Sequence, residues 1–234
     1  MAVAAGFAIM ARAVGTVTSG GALAGVVVAL VLMMAGGLAG FLPLLALFLL
    51  TLISTRWGYR RKQRLGVAEH GHGRSTSQVI ANLGPAMLCA LPLVRFTELG
   101  DILLVAATAG LAEAAADTVS SEVGEATARG AYRITDFRDV PIGSNGAISV
   151  EGTLAGCVAA SIISWVSASC GLVDWRWTFI VAFAGIAGMF LDSFLGATWE
   201  SSGKLGNDTV NFISNVFAAD IALIAMIILQ RLGR

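Results

Sequence analysis

Residues 13–55 read AVGTVTSGGALAGVVVALVLMMAGGLAGFLPLLALFLLTLIST, with Arg12 before them and Arg56 after them. No Asp, Glu, Lys or Arg interrupts the run. A helix crossing a bilayer needs roughly 20 apolar residues, so this stretch is too long for one crossing and sized for two. It breaks naturally at Gly36-Gly37, which gives spans near 20–35 and 38–55. Backbone facing lipid must satisfy its hydrogen bonds within its own helix or in a closed barrel. The two-residue alternation of a membrane barrel is absent. The fold class is therefore all-α, a polytopic transmembrane helical bundle.

Composition extends that reading to the whole chain. Of 234 residues, 56% are hydrophobic and 13% charged, with a mean hydropathy of +0.80. A soluble domain carries roughly 25% charged residues, so this chain could not cover a soluble globule with polar surface. Disorder would need low hydrophobicity, nucleic-acid binding a basic excess, and a stapled secreted domain many cysteines. Lys+Arg and Asp+Glu balance at 15 each, so no net field steers a ligand. Cys89, Cys157 and Cys170 lie in apolar stretches and read as buried thiols. Residues 1–234 read as one integral membrane domain of about seven spans, with six to eight as the bounds.

Outward from the central run, residues 2–14 are apolar but short, fitting a first span or an interfacial helix better than a signal peptide. Residues 56–74 form a polar loop with Arg56, Arg60, Arg61, Lys62, Arg64 and Arg74, and 123–146 form a second with Arg129, Arg133 and Arg138. Further spans are expected at 75–94, from Asp101 to about Glu122, and at 147–170, 177–198 and 209–230. By parity, eleven Lys and Arg fall on one side and four (Arg95, Arg176, Arg231, Arg234) on the other. The basic-rich side is expected to be cytoplasmic, in the inner membrane if the source is prokaryotic. Trp57, Trp165, Trp175, Trp177 and Trp199 lie near span ends, as interface anchors do. His70 and His72 read as part of a solvated loop.

Intramembrane carboxylates are costly and face the bundle interior or water, so they mark candidate chemistry. Glu113, Asp117 and Ser121 are spaced four apart and stack on one helical face, with Thr118, Glu122 and Glu125 nearby. Two carboxylates on one stripe repel unless a cation lies between them. Asp192-Ser193 follows an apolar run, with Gly196 and Glu200 on the same face. Asp208, Asn211 and Asn215 share a face, and Asn207 and Lys204 precede them. Such hard oxygen ligands suit Mg²⁺, which takes one or two carboxylates with water and phosphate oxygens. The plainer readings are a helix end emerging into water, a lone buried hydrogen-bond partner, and an N-cap followed by asparagines that bond neighbouring helices. The loop Pro141-Ile-Gly-Ser-Asn-Gly-Ala-Ile-Ser149 runs into an apolar helix and is shaped like an anion cradle, although glycine also serves ordinary turns.

The segments Arg74…Gln78-Val-Ile-Ala-Asn82, Ala116-Asp-Thr-Val-Ser-Ser-Glu122-Val-Gly124, Arg133-Ile-Thr135…Pro141 through Ser149, Leu191-Asp-Ser-Phe-Leu-Gly-Ala-Thr198 and Asn207-Asp-Thr-Val-Asn211-Phe follow one another in this order. From about residue 20 onward this pattern resembles the integral membrane family that contains plant chloroplast phytyl-phosphate kinase and the transmembrane protein 19-like proteins. The loop departs from that pattern at Ser144, where Thr is common, and at Ala147, where a second glycine is common.

The resemblance implies an isoprenoid monophosphate kinase. Such an enzyme forms the prenyl diphosphate by Mg²⁺-dependent transfer from a nucleoside triphosphate, with CTP the expected donor. On that reading Asp117, Asp192 and Asp208, with Glu113, Glu122 and Asn211, hold the metal. Gly143, Ser144, Asn145 and Gly146 cradle nucleotide phosphates, Arg133, Arg138 and Lys204 neutralise charge, and Arg74, Gln78 and Asn82 meet the substrate phosphate or the nucleotide. Phosphoryl transfer depends mainly on positioning and charge neutralisation, which this set can supply. The alternatives are a secondary transporter or ion carrier using the same intramembrane Asp residues, or a scaffold in which they only pack.

Overall fold

The computed structural model describes residues 2–68, 73–91 and 99–232. His70, His72, Arg95 and Arg234 lie outside the described residues. The helices are α1 (Ala2–Ala13), α2 (Ser19–Arg56), α3 (Tyr59–Leu65), α4 (Thr76–Ala90), α5 (Gly100–Thr127), α6 (Val150–Ser169), α7 (Thr178–Leu195) and α8 (Asn207–Leu232). Among the described residues five segments are long and apolar enough to cross a membrane: α2, α5, α6, Trp175–Glu200 around α7, and α8.

The helix α2 is two antiparallel arms. At Gly37 the backbone leaves the helical region (φ 61°, ψ −147°), a conformation open to glycine and strained for other residues. A side chain at Gly40 would collide with the carbonyl of Leu32, which shows how tightly the chain reverses. Both ends of α2 return to one end of the bundle, where Val17 pairs with Arg74 and Thr55 meets Glu122. The reversal rests at the opposite end, where Gly36 abuts Leu172 and the Cys170 thiol points at the Ala39 carbonyl. The break at Gly36-Gly37 is therefore real; among the described residues it makes six membrane-length rods, and the shorter α4 packs with them, consistent with the about seven spans expected from sequence.

The helix α5 is the axle. It is rich in Ala and Gly, and α2, α4, α6, α7 and α8 all pack on it. Small residues let the backbones approach closely. A Cβ at Gly185 would sit 2.9 Å from Ala112, and one at Gly156 would sit 2.9 Å from the Ala116 carbonyl. Large apolar side chains such as Phe179, Phe183, Leu23 and Ile224 point outward, as lipid-facing positions require. The three cysteines are unbridged.

The two polar loops carry more structure than expected. The first contains α3, whose Lys62 is buried. The second begins only after Thr127, because α5 runs on past Glu122. It then forms a small antiparallel sheet of β1 (Ala131–Arg133), β2 (Asp139–Val140) and β3 (Ala147–Ile148), in the order β2-β1-β3. Tyr132 pairs with Asp139 on one side and Ile148 on the other.

Candidate functional site

The site is built where the C-terminal half of α5, the end of α7, the start of α8, the start of α4 and the sheet meet. Two polar cavities lie there. One, enclosing about 750 Å³ with its mouth, is lined by Asp117, Ser120, Ser121, Asp192, Asn207 and the loop Gly143–Gly146. The other, about 760 Å³, is lined by Arg74, Gln78, Asn82, Asp117, Ser121 and Asn211. Asp117, Ser121, Glu125 and Asn207 border both. The spacing of four along α5 places Asp117 and Ser121 one above the other on this wall.

Deeper in the bundle, Glu113 is 1% exposed and linked to α8 by two side chains. The Ser214 hydroxyl donates to Glu113 Oε1 at 2.7 Å, with Asp192 Oδ2 also within reach at 3.2 Å and the Asn211 carbonyl at 3.0 Å. A serine has one proton for these three acceptors. The Asn215 amide offers two N–H groups to Glu113 Oε2 at 2.8 Å, the Gly110 carbonyl at 2.8 Å and the Asn82 carbonyl at 2.9 Å. Acceptors outnumber donors around Glu113, which lies beneath the cavity that Asp192 lines. Gly188 is required here, because a Cβ would sit 2.5 Å from Glu113 Cγ.

Glu122 has a different setting. Lys62 Nζ ion-pairs with Glu122 Oε2 and also donates to the carbonyls of Ser54 at 3.1 Å and Thr55 at 2.7 Å. Thr55 Oγ1 donates to Glu122 Oε1 at 2.9 Å. Both carboxylate oxygens are engaged, so Glu122 ties α2 and α3 to α5, while it also borders the second polar cavity.

The loop Gly143–Gly146 is held by its own bonds. Ser144 N and Ser144 Oγ both donate to the Pro141 carbonyl, and Ala147 N donates to the Ser144 carbonyl. Gly143 (φ 84°) and Gly146 (φ 72°) adopt the left-handed region, and Gly146 packs directly on Ala197. Its glycines are thus explained by turn geometry and packing, and the loop still forms one wall of the Asp117–Asp192 cavity. Ser149 then caps α6, accepting from Gly152 N at 3.1 Å.

Other expected residues are dispersed. Arg133 pairs with Asp136 at 3.5 Å and borders a further pocket with Ser144 and Asn145. Arg138 also pairs with Asp136 and is 81% exposed. Lys204 is exposed, and Asp208 lines neither polar cavity, its place being taken by Asn207. Arg74 reaches toward Thr118 Oγ1 at 3.5 Å. Asn82 and Gln78 lie one turn apart on α4, and Gln78 completes a reciprocal cap with Ser75. Ser214 and Lys62 were not singled out from sequence. A serine three residues after Asn211 has no distinctive pattern, and Lys62 sat within a basic run.

No three His, Cys, Asp or Glu side chains converge as a closed metal cage among the described residues. The donor set of Asp117 and Asp192 beside Asn207 instead fits an ion that takes its remaining ligands from phosphate oxygens and water.

The chain belongs to the family described as Integral membrane protein DUF92, whose model matches residues 2–219. It is 33% identical over 190 residues to the Uncharacterized membrane protein sll0875 of Synechocystis, covering 80% of this chain and 74% of that protein. It is 32% identical over 182 residues to the Uncharacterized membrane protein MJ0933 of Methanocaldococcus jannaschii, covering 77% and 74%. It is 29% identical over 195 residues to Protein VTE6, chloroplastic, of Arabidopsis thaliana, covering 80% of this chain and 59% of that protein. No solved structure matches it.

Proposed function

We propose that this integral membrane protein is an isoprenoid monophosphate kinase that converts a phytyl- or geranylgeranyl-type monophosphate to the diphosphate, with CTP as the phosphate donor. The observation that supports it best is that Asp117 lies on the boundary of two polar cavities, one walled by the loop Gly143–Gly146 and the other by Arg74. Two phosphate groups can therefore approach one carboxylate from two sides. The family resemblance of the five motifs and the similarity to the chloroplast relative point the same way.

In the reaction an oxygen of the prenyl monophosphate attacks the γ-phosphorus, the bond from that phosphorus to the β–γ bridging oxygen breaks, and the nucleoside diphosphate leaves. The nucleophile is already an anion, so no general base is required. The difficulty is holding two anions in line, which positioning and charge neutralisation overcome. Mg²⁺ on Asp117 and Asp192, with Asn211 and Asn207 nearby, would neutralise the donor phosphates. Arg74, Gln78 and Asn82 orient the acceptor phosphate. Arg133 borders the loop wall and would meet the nucleotide, whereas Arg138 and Lys204 would contribute only if the exposed sheet and the turn before α8 folded over it.

A carrier reading draws on the same intramembrane Asp residues, Asp117 and Asp192, with the buried Glu113 below them, along which an ion could be relayed. The kinase reading takes precedence because the cavities open at one end of the bundle, beside the loop. The test is purified protein in detergent with Mg²⁺, labelled CTP or ATP, and geranylgeranyl or phytyl monophosphate. Diphosphate should form with the parent chain and disappear in Asp117→Asn at unchanged fold. A folded preparation that transfers nothing to any prenyl phosphate or alcohol would sink the proposal and direct attention to Asp-dependent solute flux.

A further inference from the structure

A third cavity adjoins the reaction site and differs in character. It lies between α1, the two arms of α2, and α4, and takes in about 710 Å³ when its open mouth is included. Its walls are apolar, with Ala8, Gly25, Leu44, Phe48, Val79 and Leu83 among them. Its polar end is formed by Arg74, Gln78 and Asn82, the same three residues that line the cavity reaching Asp117. An apolar cavity and a carboxylate-lined one thus share a wall made of one guanidinium and two amides.

That polarity gradient matches one kind of molecule: an anionic phosphate head on a hydrocarbon tail. We infer that this cavity is the tail site for the isoprenoid chain of the acceptor lipid, its phosphate held at Arg74; the inference rests on the kinase reading for the head's fate. An isoprenoid chain is broader than a straight acyl chain because it carries a methyl branch every four carbons. The lining includes the small residues Ala8, Gly21 and Gly25. The rim is fixed by main-chain bonds, Thr18 N to the Arg74 carbonyl at 3.0 Å and Arg74 N to the Thr16 carbonyl at 2.9 Å. Phe7 of α1 packs edge-on against Phe48 at 4.8 Å and Phe41 at 5.3 Å, closing the far wall. Gly25 lines the cavity and has room beside it for a side chain. A Cβ there meets nothing within 4 Å, whereas one at Gly21 would collide with the Arg74 carbonyl.

The test is Gly25→Phe, with Gly6→Phe as control because Gly6 also has open space around it and does not line the cavity. Binding of geranylgeranyl monophosphate is measured by native mass spectrometry without nucleotide. Transfer is then measured to that C20 acceptor and to the C5 dimethylallyl monophosphate. Gly25→Phe should weaken C20 binding and lower C20 transfer roughly tenfold or more, the scale on which filling an apolar pocket discriminates ligands, while C5 transfer holds. Unchanged C20 binding and transfer in a folded Gly25→Phe protein would overturn the tail site and leave the kinase reading standing. C20 binding lost in Gly25→Phe, with no transfer by the parent chain, would support the tail site and defeat the kinase reading. Equal binding of phosphatidate, blocked by the same substitution, would overturn the isoprenoid assignment.

Discussion

Ser214 on α8 donates its hydroxyl to Glu113 on α5 at 2.7 Å, and the same oxygen lies 3.2 Å from the Asp192 carboxylate. One small side chain bridges the buried Glu113 and the cavity-lining Asp192. Removing a partner from a buried polar group costs about 1–3 kcal/mol, more where the group is charged. Ser214→Ala should lower the midpoint of thermal unfolding in detergent by several degrees, roughly 2–4 °C per kcal/mol for a chain this size. Ser202→Ala, at an exposed turn, should leave it in place. Equal midpoints for the two variants would show that the bridge contributes nothing.

Lys62 and Glu122 form an ion pair whose side chains are 1% and 9% exposed. Breaking such a pair from one side costs about 3–5 kcal/mol, because the remaining charge stays buried. Glu122→Gln should therefore destabilise the fold strongly, and the double variant Lys62→Met with Glu122→Leu should recover most of the loss. Denaturant titration of the three proteins measures this. A double variant no better than the single one would mean that the pair also fixes the position of α3 in a way apolar packing cannot replace.

Gly146 combines φ 72° with contact on Ala197. Gly146→Ala would place its Cβ 2.3 Å from Ala197 N, so the loop must lift away from the turn Gly196–Glu200. The expected result is unchanged helical circular dichroism, faster tryptic cleavage at Arg133 and Arg138, and, on the proposed kinase function, loss of phosphoryl transfer. Parent-like cleavage rates would show that the turn, and not the loop, gives way.

Much of the architecture was legible because lipid imposes a simple rule of length and charge. The break at Gly36-Gly37, the spans at 177–198 and 209–230, and the convergence of Asp117 and Asp192 on one cavity all follow from where charge is absent or unexpectedly present. What sequence could not show is which polar residues satisfy one another across helices. Lys62 lay in a basic run that reads as solvated, yet its carboxylate partner is 60 residues away. Asp208 and Asn207 are adjacent, and only the phase of α8 against α5 decides that Asn207 borders the cavity. The residue pattern of the Gly143–Gly146 loop was visible, but not that each glycine has a packing reason of its own.

The reversal at Gly37 bears on how the chain is made. Between Arg12 and Arg56 nothing charged has to be carried through hydrocarbon. Both arms can leave the ribosome, fold back and enter the bilayer as one hairpin, with only the few peptide groups of the bend to be desolvated on the far side. The socket for that bend, at Leu172 and Cys170, is synthesised more than a hundred residues later. The hairpin must wait in lipid as a self-sufficient unit before the rest of the bundle closes around it.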